Sequence, residues 1–443
     1  MDTGRIAQGP AFPPLRQGRY VLAVFVVAYV LSFVDRTILT LLVDPIRASL
    51  RISDVQVSLL HGLAFAVFYT ALGIPIARLA DRRNRVHIIT AGIVLWSAMT
   101  ALCGTAKSFG HLFVSRIGVG VGEAALSPAA YSILADYFPP ARLTQALSIY
   151  TASAYVGGGL ALIAGGSLIA LVPAADLPVV GHVEPWQMVF FIVGLPGLAV
   201  ALLMRTVREP ARIGVLRGRR ASEGVSLGEI ARHVADRRGA YGLLIGSVVV
   251  HSLMWNGVVA WMPTFFLRKF GLSPAAVGFW AGLSLMIAGT VGIVGGGMLG
   301  AWLRRRGRDD ANHIVLVLAS VLALPFGCSM TLVVSPAPAF ALYALFLLFT
   351  SAPYGGIVAA LQEISPNQMR AQISAIYQLG LNLFGIGTGP TVVALASQRL
   401  FGGDLGLGHS ITVIVAIAAP LAGLLAWRAG APHARAIGLM PGD

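Results

Sequence analysis

Long apolar stretches separated by short polar turns run the length of the chain. Crossing a hydrocarbon core takes ~20 apolar residues on a helix. Twelve stretches reach that length, at approximately 20–43, 56–78, 86–106, 110–137, 143–172, 187–206, 240–267, 274–303, 312–334, 337–362, 371–400 and 409–428. The pattern predicts an all-α integral membrane protein with twelve transmembrane helices in two six-helix halves. The halves are residues 1–206 and 240–443, joined by the one long polar stretch, 207–239. In that linker, Ser226-Leu-Gly-Glu229 ahead of Ile230, Ala231 and Val234 has the spacing of a capping box opening a short amphipathic helix. Arg232, Arg237 and Arg238 would hold such a helix against anionic headgroups. A solvated linker fits the same residues equally well.

Composition agrees with the pattern: 56% of residues are hydrophobic, only 11% are charged, and mean hydropathy is +0.79. Soluble domains carry roughly 25% charged residues. The net charge of +14 would suggest nucleic acid in a soluble protein, so its distribution decides what it means. An even number of spans puts both termini on one side. The connections on that side carry Arg78, Arg82, Arg83, Arg85, Arg142, Arg304 to Arg306, Arg308, Arg370 and the arginines of the linker. The opposite connections carry only Arg47, Arg51, Lys107, Arg268, Lys269 and Arg399. The positive-inside rule then places both termini in the cytoplasm of a multi-pass plasma membrane protein of the bacterial inner-membrane kind. The basic excess is topological, and no nucleic-acid partner is expected. The first apolar stretch is too long for a signal-peptide core and has no cleavage-like exit. Cys103 and Cys328 lie far apart in apolar runs, which favours buried thiols over a disulfide.

The chain repeats itself. After the second span it reads Ala77-Arg-Leu-Ala-Asp81-Arg82-Arg-Asn84-Arg85, and after the eighth Gly300-Ala-Trp-Leu-Arg304-Arg305-Arg-Gly307-Arg308, aligned without a gap. A second echo pairs Asp136-Tyr-Phe-Pro139-Pro140-Ala-Arg142 after the fourth span with Glu363-Ile-Ser-Pro366-Asn-Gln-Met-Arg370 after the tenth. Each half thus has a basic elbow and an acid-Pro-Arg elbow, the signature of a duplicated six-helix unit.

These loops resemble the Major Facilitator Superfamily of secondary transporters over nearly the whole chain. Asn84 and Ala77 stand where that family's signature loop has Gly, and Arg304 stands where the second copy has its acid. The resemblance implies gating roles for Asp81, Arg82, Arg85, Asp136, Arg142, Glu363 and Arg370, and leaves the second copy's gate in question. The branch is narrowed by further stretches. Asp35-Arg36, Ala71-Leu-Gly-Ile-Pro75, Trp96-Ser97, Arg116-Ile-Gly-Val-Gly-Val-Gly-Glu123-Ala-Ala-Leu-Ser-Pro128 and the run from Trp186 to Pro210 resemble the Spinster-like branch. That likeness implies an alternating-access transporter, proton-coupled, for an amphipathic lysolipid- or sphingoid-like anion. A neighbouring branch of small organic-anion symporters also has Asp-Arg in its first helix and is the alternative. In the fifth span, Ala161-Leu162 replaces the Gly-Pro of the antiporter motif, which weighs against a drug/proton antiporter.

Four charges, Asp35, Arg36, Arg116 and Glu123, sit where lipid should be. Charged residues inside a membrane face a bundle interior or a wet cavity and mark functional sites. Arg116, Gly120 and Glu123, at i, i+4, i+7, share one helix face. Asp35 lies about eight residues, or ~12 Å at the helical rise, from the outer end of its span and Arg116 about as far from the outer start of its own, so an Asp35–Arg116 ion pair is expected, with Glu123 one to two turns deeper. The three would form either a permanent strut or a proton-responsive set in which Arg116 moves between two carboxylates. Arg36, ~100° round the helix, is free to pair elsewhere or to meet an anionic headgroup.

The second half has no charge within the hydrocarbon part of its spans. His251, Trp255, Asn256, Tyr354, Gln378 and Asn382 are its candidate substrate contacts, and each could equally be a polar residue bonded between helices. A lone His251 has no partners at metal-ligand spacing, so no metal and no cofactor beyond protons is expected. Gly118-Val-Gly120-Val-Gly122 follows no strand and is no nucleotide loop. A membrane transferase would need an acidic metal cluster, and Asp309-Asp310 stands alone. The protein is read as a non-enzymatic monomer whose partners are its small amphipathic substrate and membrane lipids.

Overall fold

A computed structural model of the chain describes residues 12–178, 180–212, 227–366, 369–402 and 406–438. Twelve helices are long and apolar enough to cross a bilayer: α1 (Leu15–Leu41), α2 (Asp54–Ala80), α3 (Arg85–Cys103), α4 (Phe109–Tyr137), α5 (Gln145–Leu171), α6 (Pro185–Met204), α7 (Arg238–Phe270), α8 (Pro274–Arg305), α9 (Ala311–Leu332), α10 (Pro336–Glu363), α11 (Gln372–Leu400) and α12 (Leu407–Gly438). The start of α1 and the end of α12 lie at one end of this up-and-down bundle, the terminal end; the other is the far end.

Sequence chemistry explains the irregularities. α4 is broken between Glu123 and Leu126. Pro128 lacks an N–H and its ring crowds the carbonyl four residues back, that of Ala124. α10 breaks at the tight turn Ala352–Gly355, which contains Pro353. α11 widens into a π-helical turn at Leu381–Ile386, ahead of Pro390, a device common at functional sites. The fourth helix of each half is therefore interrupted at corresponding depth. The far end also holds structure that the hydropathy pattern does not reveal. A short helix, Val43–Leu50, ends on Arg51 at φ 52°. A hairpin of β1 (Ala175–Leu177) and β2 (Gly181–Val183) precedes α6.

The two six-helix groups meet chiefly along α5 and α8. Here Gly159 faces the Gly282 carbonyl, and Gly166 faces Pro274 and Gly278. A Cβ at Gly159 would lie 2.6 Å from Met286, an overlap that costs about 1–3 kcal/mol to accommodate. Gly157 and Gly165 serve instead the α1 seam, against Val30 and Ile38. Backbones that approach this closely gain dispersion contact, the main adhesive between helices in lipid.

A helix does form at Leu227–Asp236; Ser226, its expected cap, lies outside the described residues. Ile230 is buried in a cluster with Tyr241, Leu244 and Leu361. His233 Nε2 sits 3.1 Å from the Tyr241 hydroxyl. This helix is docked on protein at the foot of α7, with Arg232 exposed.

Candidate functional site

The intramembrane charges converge between α1 and α4. Asp35, Arg116 and Glu123 retain 2%, 1% and 1% of their surface. Their pairing differs from the expected one. Glu123 Oε2 accepts from Arg36 Nε at 2.5 Å and from Ser32 Oγ at 2.6 Å, and it contacts Arg36 Nη2 at 2.5 Å. Asp35 Oδ2 accepts from the Thr100 hydroxyl on α3. Arg116 Nη1 donates to the Asp35 backbone carbonyl at 3.4 Å, not to its carboxylate. The physical reason is side-chain direction. Side chains lean toward the N-terminus of their own helix, so Arg36 reaches back to the level of Ser32, where Glu123 lies, while Arg116 on the antiparallel α4 leans to the far end.

Three atoms of this cluster, Asp35 Oδ1, Glu123 Oε1 and Arg116 Nε, are buried without a hydrogen-bond partner among the described residues. Arg36 is different: its side chain is 19% exposed. Its guanidinium carbon lies 4.3 Å from the centre of the Phe65 ring, 4.9 Å from Phe33 and 5.1 Å from Tyr69. Aromatic faces stabilise a cation in this position. One arginine is thus held by a buried carboxylate on one side and reachable on the other. The glycines between Arg116 and Glu123 let the helices approach, since a Cβ on Gly120 would stand 2.8 Å from the Phe65 carbonyl oxygen and one on Gly122 2.6 Å from the Trp96 nitrogen.

The second half repeats the geometry without the charge. Counting thirteen residues back from Asp136 gives Glu123, and from Glu363 gives Thr350. There the Thr350 carbonyl accepts from His251 Nε2 at 2.8 Å, a neutral tie between the first and fourth helices of that half. The His251 and Tyr354 ring centres are 5.8 Å apart, those of Trp255 and Tyr354 6.2 Å, and those of Tyr155 and Trp255 6.3 Å. Tyr155 belongs to the first half, so this aromatic group bridges the halves. Asn256 Nδ2 is turned back onto Ser252, Asn382 is buried and Gln378 is exposed.

At the terminal end, Arg85 is buried and donates to Asp136 Oδ2 at 2.5 Å, to Glu209 Oε1 at 2.6 Å and to Ser132 at 2.8 Å. In the second half it is Arg304, not Arg308, that takes Glu363, at 2.7 Å. The base that replaces the missing acid of the loop thus supplies the tie. Arg308 turns to Asp310. Arg370 donates to the Gln362 and Ser365 carbonyls. Arg82 and Arg142 are exposed, and the Asp81 side chain lies outside the described residues.

Polar ties between the halves gather at the far end, and their charged members lie where sequence reading placed connections. Arg268 donates to Asp44 at 2.6 and 3.0 Å and to Asp54 at 2.8 and 2.9 Å. Arg47 Nε stands 3.0 Å from Asp54. Thr264 donates to the Thr40 carbonyl at 3.4 Å and Ser58 to Thr391 at 3.1 Å. Net charge by side could not reveal this cluster, because its charged members come from two separate connections, 44–55 and 268–273.

A sequence profile of the Major Facilitator Superfamily matches residues 25–390. An MFS-type efflux pump of Mycolicibacterium smegmatis is 28% identical over 421 residues, 92% of this chain and 91% of that one. Human protein spinster homolog 1 is 31% identical over 265 residues, 58% of this chain and 47% of that protein, so the match spans about half of that relative. A crystal structure of a bacterial homolog of the human lysosomal transporter spinster, inward-facing and unoccupied, matches with a TM-score of 0.78 at 27% identity, covering 96% of this chain and 98% of that one. A D-xylose-proton symporter shares the fold, with a TM-score of 0.69 at 15% identity over 92% of this chain and 97% of that one.

Proposed function

The chain belongs to the Major Facilitator Superfamily, and from that premise we propose that it is a proton-coupled secondary transporter moving an amphipathic, lysolipid-like anion by alternating access. The observation that carries this reading is Arg36, tethered by Glu123 yet 19% exposed. Glu123 has one oxygen committed to Arg36 and Ser32 and the other without a partner. A proton taken on the free oxygen removes the charge that holds Arg36, and the guanidinium then offers its donors to the anionic head of the cargo. Proton and anion are thereby bound together or not at all.

The rest of the cargo is apolar in this reading. The facing half offers Trp255, Tyr354 and His251 and no intramembrane charge, a wall suited to a hydrocarbon chain and poor for a second carboxylate. Likeness to the bacterial spinster homolog supports the same class. The far end is tied across the halves, while at the terminal end the ion pairs described fall within each half. This fits a cavity open to the terminal side, which the arginine distribution assigns to the cytoplasm. Arg85 with Asp136 and Arg304 with Glu363 then act as the elbows on which each half closes.

The test is uptake and counterflow of a lysophospholipid in proteoliposomes at two pH gradients. Glu123→Gln is expected to keep counterflow and lose acceleration by the gradient, and Arg36→Ala to lose both. Uptake by Glu123→Gln that still follows the pH gradient overturns proton coupling through this residue. Counterflow of small carboxylates with none of lysolipid overturns the amphipathic cargo.

A further inference from the structure

At the terminal end, outside the charge cluster, a groove of about 400 Å3 runs between α1 and the elbow that leads into α5. Leu15, Arg19 and Leu22 form one wall, and Phe138, Arg142 and Gln145 the other. Gly18 on α1 lets the two walls approach, since a Cβ there would stand 3.3 Å from the Phe138 ring. Arg19 and Arg142 are both exposed, and neither is in an ion pair among the described residues. Two cations without carboxylates that face one groove from opposite walls suit a shared outside anion.

The path leading away from the groove says what kind. Ile149 lies at its upper edge and is 46% exposed; Leu160 and Leu171, eleven and twenty-two residues on, are 42% and 77% exposed. Eleven residues make just over three helical turns, so these three form one stripe along α5. That stripe is not the face toward the second half, because Gly158, Gly159 and Gly166 carry that contact. It is not the face toward α1, which Gly157 and Gly165 carry. The stripe therefore looks outward, at the depth of hydrocarbon, and ends at a pair of arginines at the depth of headgroups.

We propose that this groove binds an anionic phospholipid, with its phosphate on Arg19 and Arg142 and an acyl chain along Ile149 and Leu160. Arginine forks suit phosphate oxygens, and Gln145 adds a donor. The site is distinct from the transport cluster, and its occupancy does not depend on the transported cargo. A bound lipid would brace α1 against the Phe138–Arg142 elbow.

The test uses the full chain in nanodiscs of phosphatidylcholine with a minor share of phosphatidylglycerol, counting retained lipids by native mass spectrometry. Wild type is expected to retain phosphatidylglycerol above its bulk share. In Arg19→Ala/Arg142→Ala the preference falls roughly thirtyfold, at about 1 kcal/mol per arginine and 1.4 kcal/mol per decade. Leu160→Asn lowers retention with both arginines in place. Arg305→Ala/Arg435→Ala, the same charge change at exposed positions of the other half, leaves it unaltered. Equal loss in both double variants overturns the site in favour of diffuse attraction. Displacement by inorganic phosphate at equal concentration overturns the lipid as occupant. Unchanged retention in Arg19→Ala/Arg142→Ala, with wild-type elution and thermal unfolding, overturns the proposal altogether.

Discussion

Replacing Arg268 by Ala should open the far end. Arg268 holds two carboxylates of the first half, and they do not count equally. Asp44 has a side chain 38% exposed, so its bonds are screened and contribute about 0–1 kcal/mol. Asp54 has a side chain 1% exposed and accepts two bonds from Arg268. Stripping a buried carboxylate of its cation costs about 3–5 kcal/mol; Arg47 remains 3.0 Å away, which favours the lower figure. A loss of ~3 kcal/mol from the closed arrangement multiplies the open fraction roughly 150-fold. Thr264→Cys reports it, because Thr264 is fully buried beneath the far-end ties. In a background lacking Cys103 and Cys328, the rate at which an aqueous maleimide modifies Cys at this position follows the open fraction while reclosing is fast. Arg268→Ala should raise that rate about a hundredfold, and Asp44→Asn less than about fivefold. A rate within threefold of the parent would mean that the fork does not hold the far end closed.

Two further outcomes follow from the terminal end. Arg85→Ala takes from Asp136 and Glu209 the guanidinium they share, at a cost of about 3 kcal/mol; thermal unfolding in detergent should fall by several degrees and partly recover in Arg85→Ala/Asp136→Asn, and an unchanged midpoint would count against this elbow as a structural tie. Burial, and then the neighbouring Arg237 guanidinium, lower the pKa of His233 from its ordinary value. A histidine held neutral stabilises the fold fully above its unfolded pKa of ~6.5, and that stabilisation is lost as pH falls through the folded value. Amide exchange in 227–236, corrected for intrinsic rate, should therefore quicken between pH 7.5 and 5.5, and lose that pH dependence in His233→Phe.

Hydropathy was enough for the twelve spans, because a helix in lipid must announce itself by length and composition alone. It also singled out Asp35, Arg116 and Glu123, since charges at that depth are too costly to be incidental. Which charge meets which was not legible. Depth arithmetic locates Cα atoms along the membrane normal, while an arginine's donors sit far from its Cα and lean back along the helix; Arg36 therefore reached Glu123 although its Cα height suggested otherwise. The exchange of Arg308 for Arg304 on Glu363 was hidden for a related reason. Alignment pairs positions, whereas a carboxylate accepts whichever guanidinium the fold brings near. The Arg268 fork was hidden by tertiary closure, since nothing local ties residue 268 to residues 44 and 54.

The glycine seam between α5 and α8 has a mechanical consequence. Where Gly159 and Gly166 meet Gly282 and Gly278, backbone rests on backbone, and the side chains that cross the seam beside them, Leu285 over Gly158 and Tyr155 over Gly289, lie against glycines. Such a contact behaves as a bearing: it carries the load between the halves and resists their relative tilt only weakly. Under the alternating-access reading proposed above, the barrier to rocking is then concentrated at the rims, in a few ionic clasps, and turnover becomes adjustable one clasp at a time without disturbing the pivot.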